Sequence, residues 1–262
     1  MIKRILVIPD TQVKPDENYD FLADIGRYAV KIKADYIIHL GDFADMPSLC
    51  SHDKPGSKSM EGLRYKKDVQ SVLDAQQLLL NPIRKERLRL IAIRRKQWNP
   101  KLIMLYGNHE NRINRAIQND PKLEGLISLE DLKYEENGWN TVPFLQPINI
   151  EGVAFCHYFI SGAMGRPIST ARALIAKLHQ SCIAGHQQGR DIFYGKRADG
   201  KTMTAIIAGS CYEHDEDYLN IQSNNHWRGV YVLNEVEDGQ FEDVPISLAT
   251  LNQMFSKKRK RN

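Results

Sequence analysis

With 262 residues, 42% of them hydrophobic and 26% charged, the chain has the make-up of one packed globular domain, which excludes a disordered or fibrous polymer. No apolar run is long enough to cross a bilayer, and the opening stretch 1–8 runs straight into a polar motif, too short for a signal peptide. No membrane partner is expected. The four cysteines (Cys50, Cys156, Cys182, Cys211) lack zinc-type spacing and read as reduced thiols of a cytoplasmic protein.

In chain order, the apolar run Ile5-Leu6-Val7-Ile8 predicts a strand that ends in Pro9-Asp10-Thr11-Gln12. Apolar residues at helical spacing from Asn18 to Lys33 predict a helix. A second strand, Tyr36 to Leu40, then ends in Gly41-Asp42-Phe43-Ala44-Asp45. Such a unit implies a right-handed parallel crossover. Residues 46–98 exceed what a connection needs and read as an insertion: a loop with Pro47, Pro55 and Gly56, a helix over Leu63–Leu80, and a second from Pro82 to about Gln97. Between Lys54 and Lys96 there are 12 bases against 4 acids, so the insertion is basic although the net charge is only +4. Because it leaves after Asp42 and returns before Asn108, it is expected beside the catalytic strand ends.

The run Leu102 to Tyr106 predicts a strand broken at Gly107-Asn108-His109-Glu110, followed by a helical pattern from Arg112 to Asn137 that is broken by Pro121. Strands ending at His157 and at Gly185-His186-Gln187-Gln188 flank a helix from Ile168 to His179. Beyond them, Arg190–Arg197, Met203–Ser210 and Arg228–Val236 read as strands with turns at Asp199-Gly200 and Asp238-Gly239. This carboxyl third is expected to be antiparallel and to supply a second sheet. Residues 1–255 thus read as one domain, and 256–262, with Lys257-Lys258-Arg259-Lys260-Arg261, as a disordered basic tail.

Five strand ends therefore deliver Asp, Asp, Asn/His, His and His in order, a donor set suited to borderline-hard divalent ions. These motifs resemble those of the calcineurin-like metallophosphoesterase superfamily: Asp-x-His, Gly-Asp-x-x-Asp, Gly-Asn-His-Asp/Glu, a lone His and Gly-His-x-His. The match runs from residue 10 to 188, and the chain is similar to bacteriophage-encoded members, for which the compartment would be the host cytoplasm. The resemblance implies a four-layer α/β/β/α sandwich and two divalent ions. One ion would take Asp42, Asn108, His157 and His186; the other Asp10, the shared Asp42, Gln12 and Gln188. His109 would protonate the leaving oxygen, Asp45 would orient it, and Arg112 would reach the phosphate. Gln12 and Gln188 stand where the family usually has histidine. A neutral amide oxygen is harder than an imidazole nitrogen, which favours Mn²⁺ there, with Mg²⁺, Fe or Zn²⁺ as alternatives.

The expected activity is metal-dependent hydrolysis of phosphate esters, with a phosphodiesterase or nuclease favoured because an extended basic surface suits a polyanion. The competing readings are a phosphomonoesterase or protein phosphatase, and a nucleic-acid-binding module with a vestigial metal site. Of the other histidines, His39 reads as a packed or supporting residue, His52 and His179 as surface residues, and His214 and His226 as parts of a polar stretch folded over the site.

Overall fold

The computed structural model describes residues 3–51, 57, 60–215 and 226–259, with side chains through 256. The chain runs β1 (Lys3–Ile8), α1 (Asp20–Ile32), β2 (Tyr36–His39), α2 (Tyr65–Ala92), β3 (Lys101–Leu105), α3 (Arg112–Asn119), β4 (Asn140–Val142), β5 (Ile148–Ile150) and β6 (Val153–Cys156). It continues with the short hairpin β7 (Ile160–Ser161) and β8 (Arg166–Pro167), then α4 (Ala171–Leu178), β9 (Cys182–Ala184), β10 (Arg190–Lys196), β11 (Thr202–Ala208), β12 (Gly229–Glu237), β13 (Gln240–Ser247) and α5 (Leu248–Arg259).

Two sheets form, in the orders β13-β12-β1-β2-β3-β4 and β10-β11-β9-β6-β5. Strand β1 shows how they stack. Ile5 and Val7 point into a core shared with Phe155, Ile183 and Ile206 of the other sheet. Leu6 and Ile8 point the other way, against Leu22 and Ile25 of α1 and Leu79 of α2. A strand buried on both faces must be apolar at every position, which is why this one reads as an unbroken run. A third core packs α4, through Leu174 and Ile175, on the outer face of β6, β9 and β11. The result is the α/β/β/α sandwich, with α1, α2 and α5 outside one sheet and α4 outside the other.

Four expectations need correction. The carboxyl third does not build a sheet of its own: β12 pairs antiparallel with β1 and joins the first sheet, while β11 pairs parallel with β9 in the second. Which edge a strand extends is decided by the neighbour it finds, and alternation in sequence carries no such information.

The insertion holds one long helix, α2, with Pro82 inside it. Proline normally interrupts a helix by removing a donor and crowding the carbonyl four residues back. Here α1 holds α2 from the side: a Cβ on Gly26 would fall 2.2 Å from the Leu79 carbonyl oxygen and 3.1 Å from Cγ of Pro82. Only glycine allows that approach, and packing along the whole interface overrides the local preference. Third, α3 ends just before the expected break at Pro121, but the remainder to Asn137 forms 3₁₀ turns at Pro121–Leu123 and Leu129–Leu132 rather than further α-helix. Fourth, α5 carries helix through Arg259, into the expected tail; residues 260–262 lie outside the described residues.

Candidate metal centre

The loops after β1, β2 and β3 interlock before any side chain is considered. Thr11 N and Gln12 N both donate to the Asp42 carbonyl at 3.1 and 2.9 Å, and Val13 N donates to Phe43 O at 2.7 Å. Asp42 has φ of 51°, Gln12 of 44° and His186 of 67°, left-handed values that non-glycine residues adopt at a cost and that cluster at sites where geometry is over-determined. Gly107 lets β3 end against this turn, since a Cβ there would sit 2.0 Å from Asp42 Oδ1.

Glu110 locks the arrangement. Its carboxylate, fully buried, accepts from Asp42 N (3.0 Å), Gly107 N (2.9 Å), Ala44 N (2.9 Å) and the Tyr134 hydroxyl (3.2 Å). One side chain thereby satisfies backbone donors from two loops. Sequence reasoning saw Glu110 only as the last letter of a motif. The spacing Gly-x-x-Glu after a strand, with the carboxylate turned back on its own loop, was the available signal.

Four groups converge at these strand ends. His157 Nε2 lies 2.9 Å from Asn108 Oδ1 and 3.4 Å from Asp42 Oδ2, and His186 Nδ1 lies 2.8 Å from Asn108 Oδ1. The ligand atoms of Asp42, His157 and His186 all fall within 4.8 Å of one another. His157 Nδ1 faces the Leu40 carbonyl at 2.9 Å, which fixes the ring and leaves Nε2 for the cluster. Burial alone would lower the His157 pKa, but the charge and hydrogen bond of Asp42, with the Asp10 and Glu110 charges, together outweigh it and the value rises to about 9. A proton on His157 thus occupies the place where a divalent cation fits the donor set. His186 is the converse: burial, then the His157 charge, bring it down to about 4, so it is a neutral imidazole ready to ligate.

Asp10, fully buried, accepts from His186 N through both oxygens at 3.1 Å. Burial pushes its carboxyl up to about 7, Asp42 adds to the shift, and His157 opposes it. A cation would restore its charge. Gln12 is buried beside it, its backbone carbonyl accepting from Tyr19 Oη at 3.4 Å. Gln188 Oε1 accepts from Tyr212 Oη at 2.8 Å, so the oxygen that would face a second ion is already engaged on one side.

His109 stands at the edge of the cluster. Its Nδ1 is 2.7 Å from Asp45 Oδ1, its Nε2 3.8 Å from Asp42 Oδ2 and 3.3 Å from Nη2 of Arg112. Its backbone N–H donates to Asp42 Oδ1 at 2.9 Å. Burial lowers its pKa, yet the Asp42 charge and the Asp45 hydrogen bond together leave it raised above the usual value. Arg112 Nη1 donates to Asp45 O at 2.8 Å, to Asp45 Oδ1 at 3.2 Å and to Met46 O at 3.4 Å. The Lys14 charge also acts on Asp45.

The remaining histidines divide. His39 is fully buried beneath the site: its Nδ1 accepts from Gly41 N at 3.2 Å and its Nε2 meets Thr11 Oγ1 at 3.2 Å, while that hydroxyl donates to Phe43 O. His179 caps α4 in the left-handed region. His226 Nε2 lies 2.7 Å from the Oγ of Ser210, whose backbone pairs with Asp10, and His214 stacks on Tyr212. His52 lies outside the described residues. Tyr158, unremarked in the sequence, brings its ring to 4.6 Å from His186.

The basic half of the insertion is not at this centre, contrary to expectation. Strand β3 runs parallel to β2, so a chain leaving after Asp42 must travel the length of the sheet to re-enter at Lys101. Helix α2 makes that journey. Asp68 near its start accepts from Ser48 N at 3.0 Å, close to Asp45, whereas Glu86 meets Lys33 at the far end of α1.

No curated protein matches the chain. The crystal structure of a conserved uncharacterized protein (predicted phosphoesterase) from Streptococcus pneumoniae TIGR4 aligns over 95% of this chain and 91% of its own, at 12% identity and a TM-score of 0.38. The family model for calcineurin-like phosphoesterase matches residues 3–173, which carry every motif from Asp10 to His157. With that match over most of its length, and a carboxylate–amide–imidazole cluster at the strand ends, the chain belongs to the calcineurin-like phosphoesterase family, hydrolases of phosphate esters that depend on divalent metal ions.

Proposed function

We propose that this protein hydrolyses phosphodiesters, polynucleotides among them, at a two-ion centre, with His109 as the acid. Asp42, Asn108, His157 and His186 would hold one ion firmly. Asp10, Asp42, Gln12 and Gln188 would hold the second loosely, Mn²⁺ suiting their oxygen-rich set. Bound divalent ions supply charge neutralisation of the phosphoryl oxygens and a nucleophile at neutral pH.

The observation that carries the reading is the placement of His109, with Nδ1 held by Asp45 at 2.7 Å and Nε2 turned toward the Asp42 side of the cluster, 3.8 Å from Asp42 Oδ2. An alkoxide leaving group needs a proton as its bond to phosphorus breaks, and this ring is placed to give one. Asp45 holds the ring's orientation and stabilises its charge. Arg112 reaches the same ring, but Nη1 is engaged by Asp45 and Met46, so much of its charge is compensated before substrate arrives. A diester monoanion asks less positive charge of the site than a monoester dianion, which favours the diester over the phosphomonoesterase or protein phosphatase reading.

The test compares bis(p-nitrophenyl) phosphate, a dinucleotide and p-nitrophenyl phosphate with Mn²⁺, in the native chain and in His109→Ala. Diesters should be hydrolysed faster than the monoester. The variant should keep its metal and lose about 10²–10⁴-fold in rate on the dinucleotide, and less on the nitrophenyl ester, whose leaving group needs no proton. Faster monoester turnover would reverse the preference, and no turnover with any metal would leave only the vestigial reading. Calorimetry should find one tight and one loose Mn²⁺, and the tight one should release a proton from His157 on binding.

A further inference from the structure

At the end of the molecule away from the metal cluster, α1, α2 and α5 border an open groove of about 430 Å³. Its floor is apolar, formed by Val30, Pro82 and Phe255. Its walls carry Arg27 and Lys31 on α1 and Lys85 and Arg89 on α2, in each case four residues apart and so stacked one turn above the other. The single acid in the lining, Glu86, is already engaged by Lys33 and Arg89. Lys31 and Lys85 make no ion pair among the described residues. Phe255 belongs to the last described turns of α5, and the sequence after it reads Ser256-Lys257-Lys258-Arg259-Lys260-Arg261.

We propose that the groove docks the phosphate backbone of a nucleic-acid strand, as a tethering site separate from the metal centre. From Asp68 to Glu86 the axis of α2 advances roughly 27 Å, so a phosphate in the groove is not the phosphate being cleaved. Arg27 is engaged by Asp24 and Arg89 by Glu86, which leaves Lys31 and Lys85 facing each other across the groove as the cations open to a ligand. The surplus of positive charge on both walls matches a polymer of evenly spaced negative charges better than one acidic side chain. A concave site also suits a strand rather than a flat lipid surface. The docking does not depend on which ester the metal centre hydrolyses.

The experiment uses the full chain without added metal, fluorescein-labelled (dT)20, and anisotropy between 50 and 200 mM NaCl. The native protein should bind with an affinity that falls steeply with salt. Lys31→Glu with Lys85→Glu should weaken binding by roughly tenfold or more at the low-salt end and reduce the slope of log affinity against log salt by about 1.4, two contacts at about 0.7 each on a single strand. Mn²⁺-supported hydrolysis of bis(p-nitrophenyl) phosphate, which probes the metal centre by itself, should be unchanged. Equal (dT)20 affinity in the variant would overturn the proposal. So would preferential binding of labelled poly-glutamate, which would make the partner an acidic protein, or a parallel loss of small-diester hydrolysis, which would put the polymer at the metal centre.

Discussion

Asp68 and Glu86 lie on one helix, yet their surroundings differ as the two ends of the molecule do. Asp68 is buried, its carboxyl raised by desolvation, and Ser48 N donates to it. Glu86, at the surface, is brought down to about 2 by Arg89 and then Lys33. Around the first, polar groups are enclosed, left-handed backbone is frequent, and each carboxylate answers several donors. Around the second, the cations face water, and Glu86 is shared between Arg89, at 2.7 and 3.0 Å, and Lys33. Enclosed polar groups interact in a low dielectric and leave large penalties when a partner is lost, whereas exposed ion pairs contribute little. Position relative to the strand ends, not residue type, therefore sets how much a charge matters.

The sharpest way to break this contrast is at its buried extreme. Asp42→Asn should abolish both Mn²⁺ retention after dialysis and turnover, because the residue accepts from His109 N and faces His157 and His109. Metal content by atomic emission and initial rates would report it. A variant that kept its metal and its rate would show that Asp42 is no ligand.

Next in size, Glu110→Gln should cost about 1–3 kcal/mol in urea denaturation, since the new amide donors face backbone donors that lose their acceptor. If stability were unchanged, the clamp between the two loops would carry no weight.

His39 gives a pH-dependent version of the same argument. Burial lowers its folded-state value to about 3 from the usual 6.5. The unfolded chain then binds the extra proton, so the stability this residue contributes is full above pH 6.5 and is lost as pH falls toward 3. Between those limits the native protein should lose about 1.4 kcal/mol per pH unit more than His39→Gln does. Parallel stability curves for the two proteins would mean the imidazole is protonated in place.

The smallest effect belongs to the far end. Lys31→Glu with Lys85→Glu should change the unfolding free energy from urea denaturation by no more than about 0.5 kcal/mol, as expected for exposed positions away from any buried network. A larger shift would show that the groove is structural.

Much of the centre was legible in the chain. Strands buried on both faces must be apolar throughout, so β1, β2, β3, β6 and β9 stand out as runs, and the polar residues at the end of each run are delivered to the same edge of the sandwich. This is why Asp10, Asp42, Asn108, His157 and His186 could be named from order alone, and why the structure brings them together. Gln12 and Gln188 are likewise at that edge, though the Tyr212 hydroxyl on Gln188 was not foreseeable, because Tyr212 comes after a different strand. The insertion misled for a reason of direction. Its first and last neighbours in sequence are both site residues, but parallel strands begin and end at opposite edges, so the connecting helix must cross the sheet and carry its arginines away.

Strand-end motifs by themselves determined the resemblance to the family and the identity of the clustered groups, since these depend on residues adjacent in the chain, and the layer order followed only as what that resemblance implies. Only the tertiary structure decided that β12 and β13 extend the first sheet, that α2 passes unbroken through Pro82 against Gly26, and that Glu110 ties two loops together. Each of those depends on contact between segments far apart in sequence, where local preference is outweighed by shape, close approach and the need to satisfy buried donors.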